Sequence, residues 1–338
     1  MKRKYSVITG FMGKVKDRFI DYQPVREMGE MVEMASRIKG CSGLEVVYPQ
    51  NFTDPAKVKA LLDNYGLAAS TVNLNIKSDE IFRYGSFSSP DARVRLEAVN
   101  MLKFAMDAAA ELGCGMVTTA PLCDGFDYPF ELDYVRAFEN AADAIREAAG
   151  HRRDVNVSLE YKLSEPRVHC LLSNAGKTAA FCEKVNMPNV GVTLDTGHAF
   201  QCLESPADSL AFLHAVNRLF YIHINDNYRN WDWDLVPATV NLWEFVEFAL
   251  YMNKIGYDGW ITADVFPQRH DPIVIMEKTF EWMDAIFGLA GLIDAEKLSG
   301  LQNANKSMEI LDYMRETLLP VLPGTKKPQC DNTFTLVK

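Results

Sequence analysis

The chain has 338 residues, 48% of them hydrophobic, and a formal net charge of −10. Such a length exceeds the ~250 residues of a minimal eight-fold β/α barrel and holds one large core with an extension. The acidic balance repels nucleic-acid phosphate and speaks against DNA or RNA as a partner.

Seven cysteines form an odd set without a C-x-x-C pair, so neither a disulfide framework nor a cysteine zinc site is expected, and a reducing cytoplasm is the expected home. The basic start, MKRKYSVITGFMGK, has an apolar stretch too short and broken for a signal peptide. No run approaches the ~18 apolar residues of a membrane helix, so no membrane partner is expected.

Strand-like runs fall near 4–9, 44–48, 67–74, 115–120, 155–160, 190–195, 219–224 and 259–265. Amphipathic segments lie between them near 24–39, 55–65, 91–112, 131–149, 174–186, 206–214, 241–254 and 272–288. Several of these open on Asp, Ser or Pro in cap or first-turn positions. Strand then helix, eight times over, predicts an α/β fold: a (β/α)8 TIM barrel over 1–290, followed by a helical C-terminal extension and tail over 291–338. The extension is a candidate arm against a neighbouring subunit of a homodimer or homotetramer. Two long loops, 75–90 and 225–240, follow the third and seventh strands on the face where barrels keep their chemistry.

Four of the apolar runs close on a ligand-type residue: VNVSLE at Glu160, NVGVTLD at Asp195, LFYIH at His223 and GWITAD at Asp264. Strand ends of a parallel barrel converge on one mouth, so these side chains are candidates for a single cation. His198, three residues beyond Asp195, can join that centre or a second one. In Asp232-Trp233-Asp234, alternation puts both carboxylates on one side, an arrangement suited to a hard cation such as Mg²⁺ or Mn²⁺. Lys162, two residues past Glu160, points to the same side of an extended chain and can reach a substrate oxygen. Arg269 and Trp233 are further candidates for substrate binding. The rival reading for Lys162 is a Glu–Lys pair, and for His223 a core histidine satisfied by hydrogen bonds.

Taken together, these residues resemble the xylose-isomerase-like superfamily of barrels, and within it the two-metal L-rhamnose and xylose isomerases. The resemblance covers roughly 70–290, including RYGSFSSPDARVRLEAV at 83–99. It implies that Glu160, Asp195, His223 and Asp264 hold a substrate-chelating metal, with Asp195 bridging to a second metal held by His198, Asp232 and Asp234. Lys162, Glu160 and Asp264 would carry catalysis. The expected cofactor is Mn²⁺ or Mg²⁺, with Co²⁺ or Zn²⁺ as alternatives. The implied activity is metal-dependent interconversion of an aldose and a ketose, or of a related small polyhydroxy carbonyl compound. Sugar isomerases of this type commonly place a histidine near the third strand, and STVNLNIKSDEIFRYG contains none. Three rivals share the scaffold. Ketose 3-epimerases match at Glu160, Asp195 and His223 but carry a glutamate where Asp264 stands. Apurinic endonucleases need Asp-x-His where this chain has Asp232-x-Asp234. A non-catalytic sugar-binding barrel requires that some ligands fail to converge.

Overall fold

The computed structural model describes residues 3–165 and 167–321. Eight parallel strands close a barrel: β1 Lys4–Ile8, β2 Cys41–Tyr48, β3 Ala68–Leu74, β4 Met116–Thr119, β5 Asn156–Glu160, β6 Val190–Asp195, β7 Leu219–Ile224 and β8 Trp260–Ala263. Each strand pairs with its neighbour in sequence, and β1 closes on β8. The expected strand positions therefore hold to within a few residues.

Around them run α1 Met28–Ser36, α2 Pro55–Tyr65, α3 Ala92–Glu111, α4 Tyr134–His151, α5 Ala175–Val185, α6 Thr196–Gln201, α7 Pro206–Ala215, α8 Leu242–Ile255 and α9 Pro272–Ala290. Side-chain caps start most of these helices. Asp54 accepts from Lys57 N ahead of Pro55, Asp91 accepts from Arg93 N, and Asp271 from Ile273 N ahead of Pro272. Helices α10 Ala295–Asn303 and α11 Ser307–Leu318 follow the barrel. The remainder of the expected extension, 322–338, lies outside the described residues. Among the described residues no helix is long and apolar enough to cross a membrane.

The strands are two-faced in a way that positions the site. Along β5, Val157 and Leu159 belong to the apolar core shared with the helices, while Ser158 and Glu160 are the alternate residues. Inside the barrel the alternate residues form two layers. The lower layer is hydroxyl: Ser6 Oγ and Thr262 Oγ1 are 2.6 Å apart, Thr262 donates to the Tyr221 hydroxyl at 2.6 Å, and Tyr221 donates across the barrel to Ser70 Oγ at 2.8 Å. Thr193 bonds both Thr118, at 2.9 Å, and Ser158, at 2.7 Å. Two residues further along their strands, Ser158, Thr193, Tyr221 and Thr262 are followed by Glu160, Asp195, His223 and Asp264.

Both long loops are tied down by a buried aspartate. Asp124 accepts from the backbone N–H of Ser86 at 2.7 Å, Phe87 at 3.2 Å and Ser88 at 2.9 Å, and from both serine hydroxyls at 2.5 Å. Gly85 enters that turn at φ +105, a conformation that side chains rarely adopt. Asp226 accepts from Val240 N at 2.8 Å, Asn241 N at 3.0 Å and Asn241 Nδ2 at 2.6 Å.

Some small elements escape the periodic reading. Val15–Lys16 pairs with Asp21–Gln23, and α1 starts four residues later than expected, at the capping box of Glu27 and Glu30. Gly125–Phe126, Val168–Cys170 and Ser164–Glu165 form a three-stranded sheet beside the mouth. Two- and three-residue strands are too short to carry a period.

Candidate metal centre

β5 ends on Glu160, β6 ends on Asp195, His223 is the penultimate residue of β7, and Asp264 directly follows β8. Four parallel strands thus deliver four donors to one end of the barrel. The three-residue spacing from Asp195 to His198 has a local cause. Asp195 is the N-cap of α6, and its Oδ1 accepts from His198 N at 2.8 Å, so His198 occupies the N3 position and is drawn back over the cap. Between them Gly197 leaves space for Asn225, since a Cβ there would lie 1.8 Å from Asn225 Oδ1. Asn225 Nδ2 in turn donates to both oxygens of Asp195, at 3.0 and 2.9 Å.

His223 Nδ1 lies 3.2 Å from Glu160 Oε1, 3.3 Å from Asp264 Oδ2 and 3.9 Å from Asp195 Oδ2. Ligands about 2.2 Å from a cation and about 90–125° apart are themselves separated by roughly 3.1–3.9 Å, so these spacings suit one shared ion. One donor atom from each of Glu160, Asp195, His223 and Asp264 lies within 4.8 Å of the others, and the same holds for Asp195, His198 and Asp232. Asp195 belongs to both sets.

His198 stands between them, with Nδ1 3.2 Å from Glu160 Oε1 and Nε2 3.1 Å from Asp232 Oδ2. Despite that approach, His198 Nδ1 has no hydrogen-bond partner, and neither has Asp232 Oδ1, although both are buried. Buried polar atoms are rarely left so, and a carboxylate oxygen beside a ring nitrogen that can give up its proton fits metal coordination.

Charge balance points the same way. Burial opposes the ionised form of Glu160, yet His223 and His198 hold its carboxyl well below the usual range. Asp232 is likewise lowered against burial by His198 and Lys162. Asp195 has the opposite fate: burial, then Asp264, Asp232 and Glu160, push it up to about 7 against the pull of His198. Asp234 is raised by burial and by Asp232 and Asp264. Burial alone would discharge both imidazoles, but Glu45 and Glu160 keep His223 protonated, and Asp195 and Asp232 keep His198 so. Protons therefore balance the charge where no divalent cation does.

A cation must displace those protons, so its affinity should rise as pH rises through about 7, with protons released on binding. Calorimetric Mn²⁺ titrations in buffers of differing ionisation enthalpy will check this. Affinity that is flat between about pH 6 and 8 would contradict it.

A cavity of about 660 Å³ opens over the centre, and Glu160, Lys162, His198, Asp232, Asp234 and Asp264 line it. Lys162 Nζ lies 2.8 Å from Asp232 Oδ2 and is paired with Glu165 as well. These carboxylates raise its pKa well above the usual value although burial opposes them. Asp234 faces the cavity from a left-handed residue at φ +48, but is not among the donors that cluster within 4.8 Å. Trp233 and Arg269 stand elsewhere. Both line a neighbouring depression of about 860 Å³, with Trp233 half exposed and its indole donating to Asn230 at 3.1 Å.

Sequence reasoning missed Glu45, Asn73 and Asn225. Glu45 is fully buried and accepts from His223 Nε2 at 2.9 Å and from Asn73 Nδ2 at 2.5 Å. An acidic residue inside the apolar run GLEVVY was the available signal, because such a residue is buried only with partners.

The chain is 30% identical to a xylose isomerase of Thermus thermophilus over 217 residues, which cover 60% of this chain and 54% of that protein. It thus spans little more than half of that relative. A ketose 3-epimerase of Arthrobacter globiformis is 29% identical over 221 residues, 63% of this chain and 68% of that protein. In structure the fold is similar to a D-allulose 3-epimerase of Methylomonas sp., with a TM-score of 0.68 at 20% identity, over 84% of this chain and 97% of the other. Residues 32–286 match the family model of the xylose isomerase-like TIM barrel, and the chain belongs to that family.

Proposed function

We propose that this protein is a divalent-metal-dependent sugar isomerase that interconverts an aldose and a ketose, or a related small polyhydroxy carbonyl compound. The observation that carries the reading is Asp195, shared by two donor sets. Two such sets give an isomerase its paired cations, Mn²⁺ or Mg²⁺ in this oxygen-rich surround, with Co²⁺ or Zn²⁺ as alternatives. Bound cations supply Lewis-acid polarisation of the substrate carbonyl.

The chain's own groups do the rest. Lys162 presents an ammonium on the cavity wall, where it can hold a substrate oxygen as negative charge develops. Asp264, the most exposed carboxylate of its set at 17%, and Glu160 flank His223 and can pass a proton to or from the substrate. Asp234 lines the same cavity and can hydrogen-bond a sugar hydroxyl there. Trp233 and Arg269 can meet only a part of the substrate that reaches over the rim. Free thiols at the six described cysteines suit a cytoplasmic home, and exposed Met308 and Leu311 on α11 suit a homodimer or homotetramer.

Epimerisation at C3 is the second reading, favoured by the ketose 3-epimerase relative, whose length is matched over 68%. There Glu160 and Asp264 would act as acid and base on one metal. Metal analysis and product analysis separate the two. The isomerase is expected to bind close to two Mn²⁺ per chain and to turn ketose into aldose, and Asp232→Asn should remove one ion and lower kcat without unfolding the chain. A single ion, an unaffected Asp232→Asn rate and a C3-epimeric product carrying solvent deuterium at C3 would establish the epimerase. Cleavage of abasic DNA, or binding of sugar without turnover, would overturn both.

A further inference from the structure

Glu45 sits in the middle of β2, between buried Leu44 and Val46, and is itself fully buried. A carboxylate in that position needs hydrogen-bonding partners, and both of its partners come from inside the barrel: His223 Nε2 at 2.9 Å and Asn73 Nδ2 at 2.5 Å. We propose that Glu45 is a positioning residue for the metal centre, holding His223 in the tautomer that presents Nδ1 to Glu160, Asp195 and Asp264. The inference rests on the metal-site reading above.

The argument is one of donors and acceptors. An ionised carboxylate only accepts, so the imidazole nitrogen facing it is the one that carries a proton. With Nε2 protonated, a neutral ring keeps its lone pair on Nδ1. That atom is 3.2 Å from Glu160 Oε1, 3.3 Å from Asp264 Oδ2 and 3.9 Å from Asp195 Oδ2. The Asn73 amide occupies the second oxygen of Glu45 and stops the carboxylate from rotating away. Neither Glu45 nor Asn73 reaches the donor cluster, so their influence on a cation passes through the ring of His223.

Glu45→Gln keeps the shape and replaces the obligate acceptor by an amide. Its NH₂ can donate to Nε2 and so favour the opposite tautomer, with the proton on Nδ1 in the way of a cation. Calorimetric titration of metal-free wild type and Glu45→Gln with Mn²⁺ should show one ion bound about 10–100-fold more weakly in the variant, at a temperature where melting curves show both metal-free proteins folded. Equal affinity in the two proteins overturns the role of Glu45 and leaves the metal centre standing, whereas no binding by wild type overturns the centre itself. Should the variant fail to fold, ¹⁵N spectra of the histidine side chains in Mg²⁺-loaded wild type decide: a proton on His223 Nε2 is expected, and a proton on Nδ1 refutes the proposal.

Discussion

Asp195→Asn is expected to lower turnover by about a thousandfold or more, because roughly 4 kcal/mol of transition-state stabilisation is a modest share of what paired cations supply. Asp195 is the one residue common to both donor sets, so the substitution weakens both at once. Its structural duties are largely retained by the amide. The side-chain oxygen can still cap α6 through His198 N, and Asn225 Oδ1, buried without a partner, can turn to accept from the new NH₂.

The metal-free fold should not suffer either. Asp195 titrates at about 7 when folded and near ~4 when unfolded, so the folded state binds the extra proton and loses stability as pH rises between those values. Asparagine removes that loss. Above pH ~7 the metal-free variant should therefore melt no earlier than wild type, while the rise in melting temperature on adding Mn²⁺ shrinks. Turnover within tenfold of wild type, with unchanged metal content, would refute the shared-ligand reading.

Lys162→Met is expected to lower turnover by roughly a hundredfold while metal remains bound, a loss of about 3 kcal/mol on removing a charge from a closed site. The geometry adds a second signature. Lys162 Nζ is 2.8 Å from Asp232, and its side chain is only 8% exposed, so deleting the ammonium leaves Asp232 and Glu165 without their common counter-ion. Breaking a buried pair is destabilising, so the metal-free variant should melt early, and Mn²⁺, by supplying charge to Asp232, should restore more stability than it does in wild type. Steady-state kinetics beside melting curves with and without Mn²⁺ separates the two effects. Near-normal turnover together with early melting would make Lys162 a structural partner of Glu165 and Asp232 and nothing more.

The barrel was legible because its strands obey two periods at once. Each is a short apolar run bounded by turn residues, and four of them close on a residue that a buried strand end does not tolerate without a partner. Asp195 and His198 were legible as a pair, since N-cap and N3 lie three apart whatever the fold around them. Beyond strand ends the inference weakened. Asp232 lines the cavity over the centre and Trp233 the neighbouring depression, but Asp234 at φ +48 leaves the extended conformation, and Arg269, five residues past Asp264, lies on that depression as well. The apolar run around Glu45 signals only that it is buried with partners; which partners they are, 178 residues away for Glu45 and 30 for Asn225, no local pattern encodes.

The two layers inside the barrel tie the chemistry to correct folding. Hydroxyl and ligand occupy positions i and i+2 of the same strands, so slipping any of β5, β6 or β7 by one residue would exchange both layers for the apolar face and send the ligand toward the helices. Partly misregistered barrels can collapse and even hold native-like helix content, yet none can gather donors from four strands at a single point. Cation uptake is thus an assembly check: during refolding, a metal-dependent signal reports closure of the barrel to its native shear, a step that circular dichroism alone does not distinguish from compaction.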